Sequence, residues 1–187
     1  MNRRRFLANG IAAGAFACVE PGAGSIQSMQ AQSAARPHDL VSLGAKPDPV
    51  LLNLNRTAVL VVDMQNDFCS MGGLMDAQGF NVAIIQSIVP NIRTVLAAAR
   101  KTGLKIVYLQ MAYKPDLSDL GPEGSPNWNA NRLVGTTVKA PHGAAGRMLI
   151  RGTWNTDVIE GLKPQPGDIT LYKTRFSGFY RPTLTRF

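Results

Sequence analysis

The chain has 187 residues, of which 45% are hydrophobic and 17% charged, and its formal net charge is +8. That length supports one domain with a sizeable core, and the balance is that of a globular chain rather than a disordered one. The basic residues are scattered, with no basic helix and no aromatic-basic patch, which argues against nucleic acid as a partner. The surplus suits a solvated basic surface that helps attract anionic substrates.

In chain order, Arg3-Arg4-Arg5-Phe6-Leu7 precedes a modest apolar run over 8–17 and a stretch rich in Gly, Ser, Gln and Ala. This order resembles a twin-arginine (Tat) export signal. Residues 1–35 are therefore read as a Tat-type signal peptide and linker, with a periplasmic destination, and 36–187 as the domain. The run is too short to cross a bilayer as a mature helix, so no stable membrane insertion is expected after processing. The alternatives are a basic N-terminal tail and, as a minor reading, lipid attachment at Cys18. With the leader removed Cys69 is the only cysteine, which leaves no internal disulfide.

Residues 37–55 carry Pro37, Pro47 and Pro49 and read as an extended lead-in. The run 57–62 lacks polar alternation, so it is expected to be a strand buried on both faces of a parallel sheet. Residues 69–81, with Gly72, Gly73 and Gly79, read as a loop. Ser87 is expected to cap a helix to about Thr102, with Pro90 in its first turn, a buried stripe of Ile88, Ile92, Val95 and Ala99, and Gly103 as its stop. Residues 105–109 form the second strand of a βαβ unit. The polar stretch 114–147 is a long loop of the kind that covers sites. Thr153 is expected to cap a short helix to Leu162. Residues 164–167 make a turn, 168–172 a third strand, and Ser177 or Gly178 opens a last helix. No internal repeat is present.

Asp63 stands where the first strand exits and Lys173 where the third does. Ligands bind outside the carboxyl ends of parallel strands, so the two are expected to meet in one crevice. Each alone has a plainer reading, a turn-capping carboxylate and an exposed strand-end lysine. Together, an ammonium and a carboxylate can activate a thiol and shuttle its proton. Asn66 and Asp67 stand where they could orient Asp63 or ligate a metal, and Gln65 reads as its support. His38 and His142 form no ligand-spaced cluster, so no metal site is expected. No glycine fingerprint follows the first strand, which argues against a dinucleotide cofactor. Trp128 could stack on a substrate or pin the long loop; Trp154 reads as a packing anchor.

The runs VVDMQNDF, PQPGD and YKTRFSGFYRPTL look like those of the isochorismatase-like cysteine hydrolases, and GPEGSPNW and GTW are closer still to ureidoacrylate amidohydrolases. The resemblance covers about 55–187. It implies a three-layer α/β/α, Rossmann-like parallel sheet and a catalytic Asp–Lys–Cys triad, with Asp63 and Lys173 matching the first two. It also implies hydrolysis of a C–N bond in a small linear amide or ureido acid without a cofactor, and homo-oligomeric association. Asn66, Tyr113, Trp128 and Phe176 are the expected substrate contacts. Where ureidoacrylate enzymes tend to have Asn, Trp and Tyr, this chain has Met111, Tyr113 and Phe176, which would weaken recognition of a polar ureido acid. The family's nucleophilic Cys lies in a strand-to-helix turn beyond Phe187, so the domain is expected to be truncated at its C-terminus. Cys69 is expected to be a packed core thiol. The competing reading is a non-catalytic or inactive fragment.

Overall fold

A computed structural model describes residues 39–143 and 145–180, all within the unit Ala35–Phe187. The export-signal reading lies outside the described residues.

Three parallel strands make the central sheet: β3 (Ala58–Val62), β4 (Lys105–Met111) and β7 (Ile169–Lys173), in the order β3-β4-β7. β4 is paired on both sides, with Val61 opposite Tyr108 and Met111 opposite Lys173. It accordingly buries six consecutive residues, Ile106 to Met111. A strand covered on both faces and paired on both edges has no solvated position, so its sequence need not alternate.

β3 departs from the expectation of burial on both faces: Leu60 is 47% and Val62 45% exposed, while Val61 is buried. Among the described residues it pairs only with β4, so it is an edge strand with one covered face, despite a run of apolar residues that carries no alternation signal.

The covered face packs on α4 (Val89–Lys101), which follows a short α3 (Val82–Gln86) and has Pro90 in its first turn. Leu96 and Ala99, with Val89 and Ile92, meet Val61, Ile106 and Tyr108. The stripe is thus rotated from the expected one: Ile92 and Ala99 face in, but Ile88 and Val95 are exposed and Leu96 is buried instead. Burying a leucine this completely contributes about 1.5–3 kcal/mol. Gly103, at φ 71, ends the helix as expected.

Several stretches hold more structure than their polarity suggested. The lead-in is an antiparallel hairpin, β1 (Leu40–Leu43) with β2 (Val50–Asn53). The 69–81 loop contains α2 (Leu74–Ala77), and Cys69 closes α1 (Asn66–Cys69). The 114–147 stretch carries α5 (Pro126–Ala130) and a hairpin of β5 (Thr137–Lys139) with β6 (Ala145–Arg147). It covers a second core of Leu74, Met111, Tyr113, Leu120, Met148 and Ile150 among others. The expected helix after Thr153 is two 3-10 turns, Trp154–Thr156 and Glu160–Leu162. Thr153 caps neither: its hydroxyl is turned toward the carbonyls of Ile150 and Arg147, at 2.7 and 3.1 Å, which share its one proton. After Lys173 the chain forms bends and turns to Tyr180 rather than opening a helix at Ser177, and 181–187 lie outside the described residues.

Candidate active site

Parallel register carries Asp63 and Lys173 to the same rim. Lys173 is the last residue of β7, and the strand ladder is closed there by the Ala112 N–H donating to the Lys173 carbonyl at 3.0 Å. Asp63 follows the last residue of β3, and its own N–H donates to the Leu109 carbonyl at 2.9 Å. At that point the chain turns with φ 57, a left-handed conformation that Asp adopts more readily than most residues. The turn is secured by Gln65 N–H donating to the Asp63 carbonyl at 2.8 Å and Ile159 N–H to the Met64 carbonyl at 3.0 Å.

The outcome is a direct ion pair: Lys173 Nζ lies 2.8 Å from Asp63 Oδ2, although the two residues are 110 apart in sequence. The lysine side chain is 2% exposed and the aspartate 32%. Lys173 is therefore not the solvated strand-end lysine that its position alone would suggest. Met111 Sδ, its register partner, is 3.7 Å from Nζ. Asp63 Oδ1 is buried without a hydrogen-bond partner among the described residues, so one carboxylate oxygen remains uncommitted beside a fixed cation. A pair with one free oxygen can take a proton from a neighbouring group and return it.

Cys69 is packed in the core against the backbone of Asp63. It is 1% exposed within the α4-facing core, and its thiol points at the Asp63 backbone carbonyl, 3.9 Å away. Burial, reinforced by the negative charge of Asp63 and opposed by a backbone hydrogen bond at Gln65, pushes the thiol up to about 11. A thiol so held stays protonated at neutral pH and is a poor nucleophile.

The remaining expected contacts are distributed unevenly. Tyr113 is fully buried, and its hydroxyl donates to the Thr174 carbonyl at 3.0 Å, one residue past Lys173. Asn66 turns away from the pair: its amide donates to the Trp154 carbonyl at 2.8 Å and its oxygen accepts from Ser70 Oγ. It lines a separate cleft of about 730 Å³ with Arg93, Trp154 and Glu160. Trp128 is half-buried against the second core, with the Arg132 guanidinium 5.9 Å from its ring. Phe176 is 78% exposed, three residues past Lys173. Asn66 and Asp67 reach no ligand set, and among the described residues no group of three metal-ligating side chains forms.

Gln65 supports Asp63 as its place in the motif suggested, and Asp67 has a role that the sequence left open. Gln65 is fully buried; its amide donates to the carbonyls of Met111 and Thr156, and its oxygen accepts from the Met111 N–H at 2.7 Å. That stitches the Asp63 turn to the end of β4. Asp67, also fully buried, accepts from the N–H groups of Leu149 (2.6 Å) and Leu74 (3.1 Å) and from the Asn155 amide (2.6 Å). It joins three loops. The only sequence signal was a second carboxylate within a predominantly apolar neighbourhood, which does not reveal its partners.

A family model for the Isochorismatase domain matches residues 57–187. The chain is 42% identical to the ureidoacrylate amidohydrolase RutB of Variovorax paradoxus (strain S110), over 76% of this chain and 56% of that protein. It is 39% identical to the ureidoacrylate amidohydrolase RutB of Agrobacterium fabrum (strain C58), over 77% and 63%. Among solved structures, a cysteine hydrolase from Pseudomonas syringae pv. phaseolicola 1448A is 31% identical with a TM-score of 0.51, covering 70% of this chain and 52% of that one. The chain thus spans less than two thirds of each of these relatives.

Proposed function

Because this chain belongs to the isochorismatase family, we propose that Asp63 and Lys173 are the acid–base part of a cysteine hydrolase site that cleaves a C–N bond in a small linear amide or ureido acid. The observation that carries this reading is the 2.8 Å ion pair at the carboxyl ends of two strands of the parallel sheet, with Asp63 Oδ1 left without a partner among the described residues. Two relatives named as ureidoacrylate amidohydrolases support the substrate class.

In this scheme a thiol loses its proton to Asp63 while the Lys173 ammonium stabilises the thiolate. The sulfur attacks the carbonyl carbon, and backbone N–H groups stabilise the oxyanion. Asp63 returns the proton to the departing nitrogen as the C–N bond breaks. Water then adds to the carbonyl of the resulting thioester, or thiocarbamate from a ureido acid, and the C–S bond breaks as a proton from that water returns to sulfur. Cys69 is not read as that thiol, because it is buried in the core and held protonated.

Phe176 and Trp128 are read as apolar walls for the substrate. Asn66 and Tyr113 remain in the reading as contributors to the pocket through the backbone they hold, since their polar atoms already have protein partners. The sheet is read as part of a three-layer α/β/α arrangement, supported by the apolar Leu60 and Val62 on the face away from α4. Export to the periplasm rests on the Arg3-Arg4-Arg5-Phe6-Leu7 pattern, and association into homo-oligomers on the family resemblance.

The test is ammonia release from a ureido acid, measured on the product of the gene's complete reading frame. The expected result is turnover that Asp63→Asn or Lys173→Met abolishes and Cys69→Ser spares. Turnover that survives loss of either charge would overturn the assignment. Turnover that Cys69→Ser abolishes would transfer the nucleophile to Cys69.

A further inference from the structure

We propose that Tyr113 is a positioning residue: its hydroxyl holds the chain immediately after Lys173, and through Asn127 it makes the placement of the ammonium depend on the 114–147 segment. This role rests on the reading of Lys173 as half of the reactive pair.

A lysine stem has four rotatable bonds, so a fixed ammonium requires a fixed backbone and a filled surround. Strand pairing supplies the first only as far as Lys173, where Ala112 N–H makes the last ladder bond. Residues 174–180 are bends and turns with no ladder partner among the described residues. The carbonyl of Thr174, the next peptide along, is instead held from two sides. Tyr113 Oη donates to it at 3.0 Å and Arg175 Nη1 at 2.5 Å. The arginine is half-buried, and Nη1 also donates to the Asp119 carbonyl at 3.2 Å, so it is a second, more exposed tie to the 114–147 segment. Tyr113 is the buried one. It is fully buried, its N–H donates to the Leu149 carbonyl at 2.8 Å, and its carbonyl accepts from Arg151 N–H at 3.0 Å. Its ring is thereby anchored to a different part of the domain from the one it grips.

The hydroxyl is also used to capacity. A phenol donates once, here to Thr174, and it accepts from Asn127 Nδ2 at 3.2 Å. Burial pushes the phenol above its ordinary pKa of 10.0, so it remains a donor throughout the neutral range. Asn127 is itself fixed, since Nδ2 also donates to the Leu120 carbonyl at 2.7 Å and its backbone carbonyl accepts from Asn131 Nδ2 at 2.8 Å. A phenylalanine would fill the same space. What the tyrosine adds is a connection from α5, through one hydroxyl, to the peptide beside Lys173. Reacting groups displaced by about 1 Å can lose a hundredfold in rate, so such a bolt matters at this position.

The test uses the 187-residue chain and needs no turnover. Each lysine's acetylation by an amine-reactive ester is timed by peptide mass spectrometry, with the exposed Lys139 as internal reference. Lys173 is expected to react far more slowly than Lys139 in the native chain. Tyr113→Phe should raise the Lys173 rate by up to about tenfold, the loss of one hydrogen bond, with Lys139 unchanged. Asn127→Ala should raise it less. Ile106→Val, a core change remote from this connection, separates local release from general destabilisation, and should leave Lys173 slow. A Lys173 rate in Tyr113→Phe that matches the native chain or Ile106→Val overturns the proposal. Should Tyr113→Phe not fold, Asn127→Ala decides: a raised rate supports the connection and an unchanged rate ends it. A failure of the hydrolase reading would appear in the ammonia assay and leave these rates untouched.

Discussion

The two partners of the central ion pair sit in different dielectric surroundings, and that difference makes the loss of one charge far more costly than the loss of the other. Lys173 is 2% exposed and Asp63 32%. Beyond the carboxylate, Lys173 Nζ has Met111 Sδ at 3.7 Å, a weak acceptor. Asp63→Asn retains an oxygen acceptor and tolerates the φ of 57 at that position, so it removes the charge and little else. Breaking a buried pair from one side costs about 3–5 kcal/mol, and the surviving amide acceptor places this case near the lower end, at about 3 kcal/mol. Lys173→Met fills the same channel with an apolar chain and strands a carboxylate that is one-third open to water. That carboxylate re-solvates, so the cost should be about 1 kcal/mol or less. The double variant should resemble Lys173→Met alone, a coupling of about 3 kcal/mol between the sites. Urea unfolding at pH 7, compared by midpoint at a common slope, measures all four proteins. Equal losses in the two single variants, or a double variant equal to their sum, would refute the asymmetry.

The buried thiol makes a second prediction. With its pKa near 11, Cys69 should be ionised to only about one part in a thousand at pH 8 and should alkylate with iodoacetamide at least about a hundredfold more slowly than a free thiol. Labelling at the free-thiol rate would show that the site opens. Asp67 makes the third. Burial, only partly offset by the bonds from Asn155, Leu149 and Leu74, holds its carboxyl above the ordinary 3.8. The folded chain therefore binds this proton more tightly than the unfolded one. Its contribution to stability is greatest below about pH 4, declines as pH rises through the folded value, and is flat above. Asp67→Asn should remove that decline and, by turning an amide donor against one of the three donors, cost about 1–3 kcal/mol at pH 7. Urea midpoints between pH 3 and 7 test this, and the same slope in both proteins would count against it.

The sequence by itself determined the elements whose signal is local. The apolar runs at 57–62 and 105–109, the glycine stop at Gly103 and the turn at 164–167 needed no distant partner to be read. Strand exits also placed Asp63 and Lys173 on one rim, because parallel strands share a polarity. What only tertiary structure decided is where polar atoms find partners and which apolar faces find cover. Leu60 and Val62 read as core, yet among the described residues they are exposed on a strand paired along one edge. The stripe of α4 rotated toward Leu96 because the sheet, not the helix, sets which side is inside. Tyr113 looked like a substrate contact, yet its hydroxyl is engaged by Thr174 and Asn127. Periodicity arises from the chain's own geometry, whereas a hydrogen bond between residues 61 or 82 positions apart depends on a packing that no local pattern encodes.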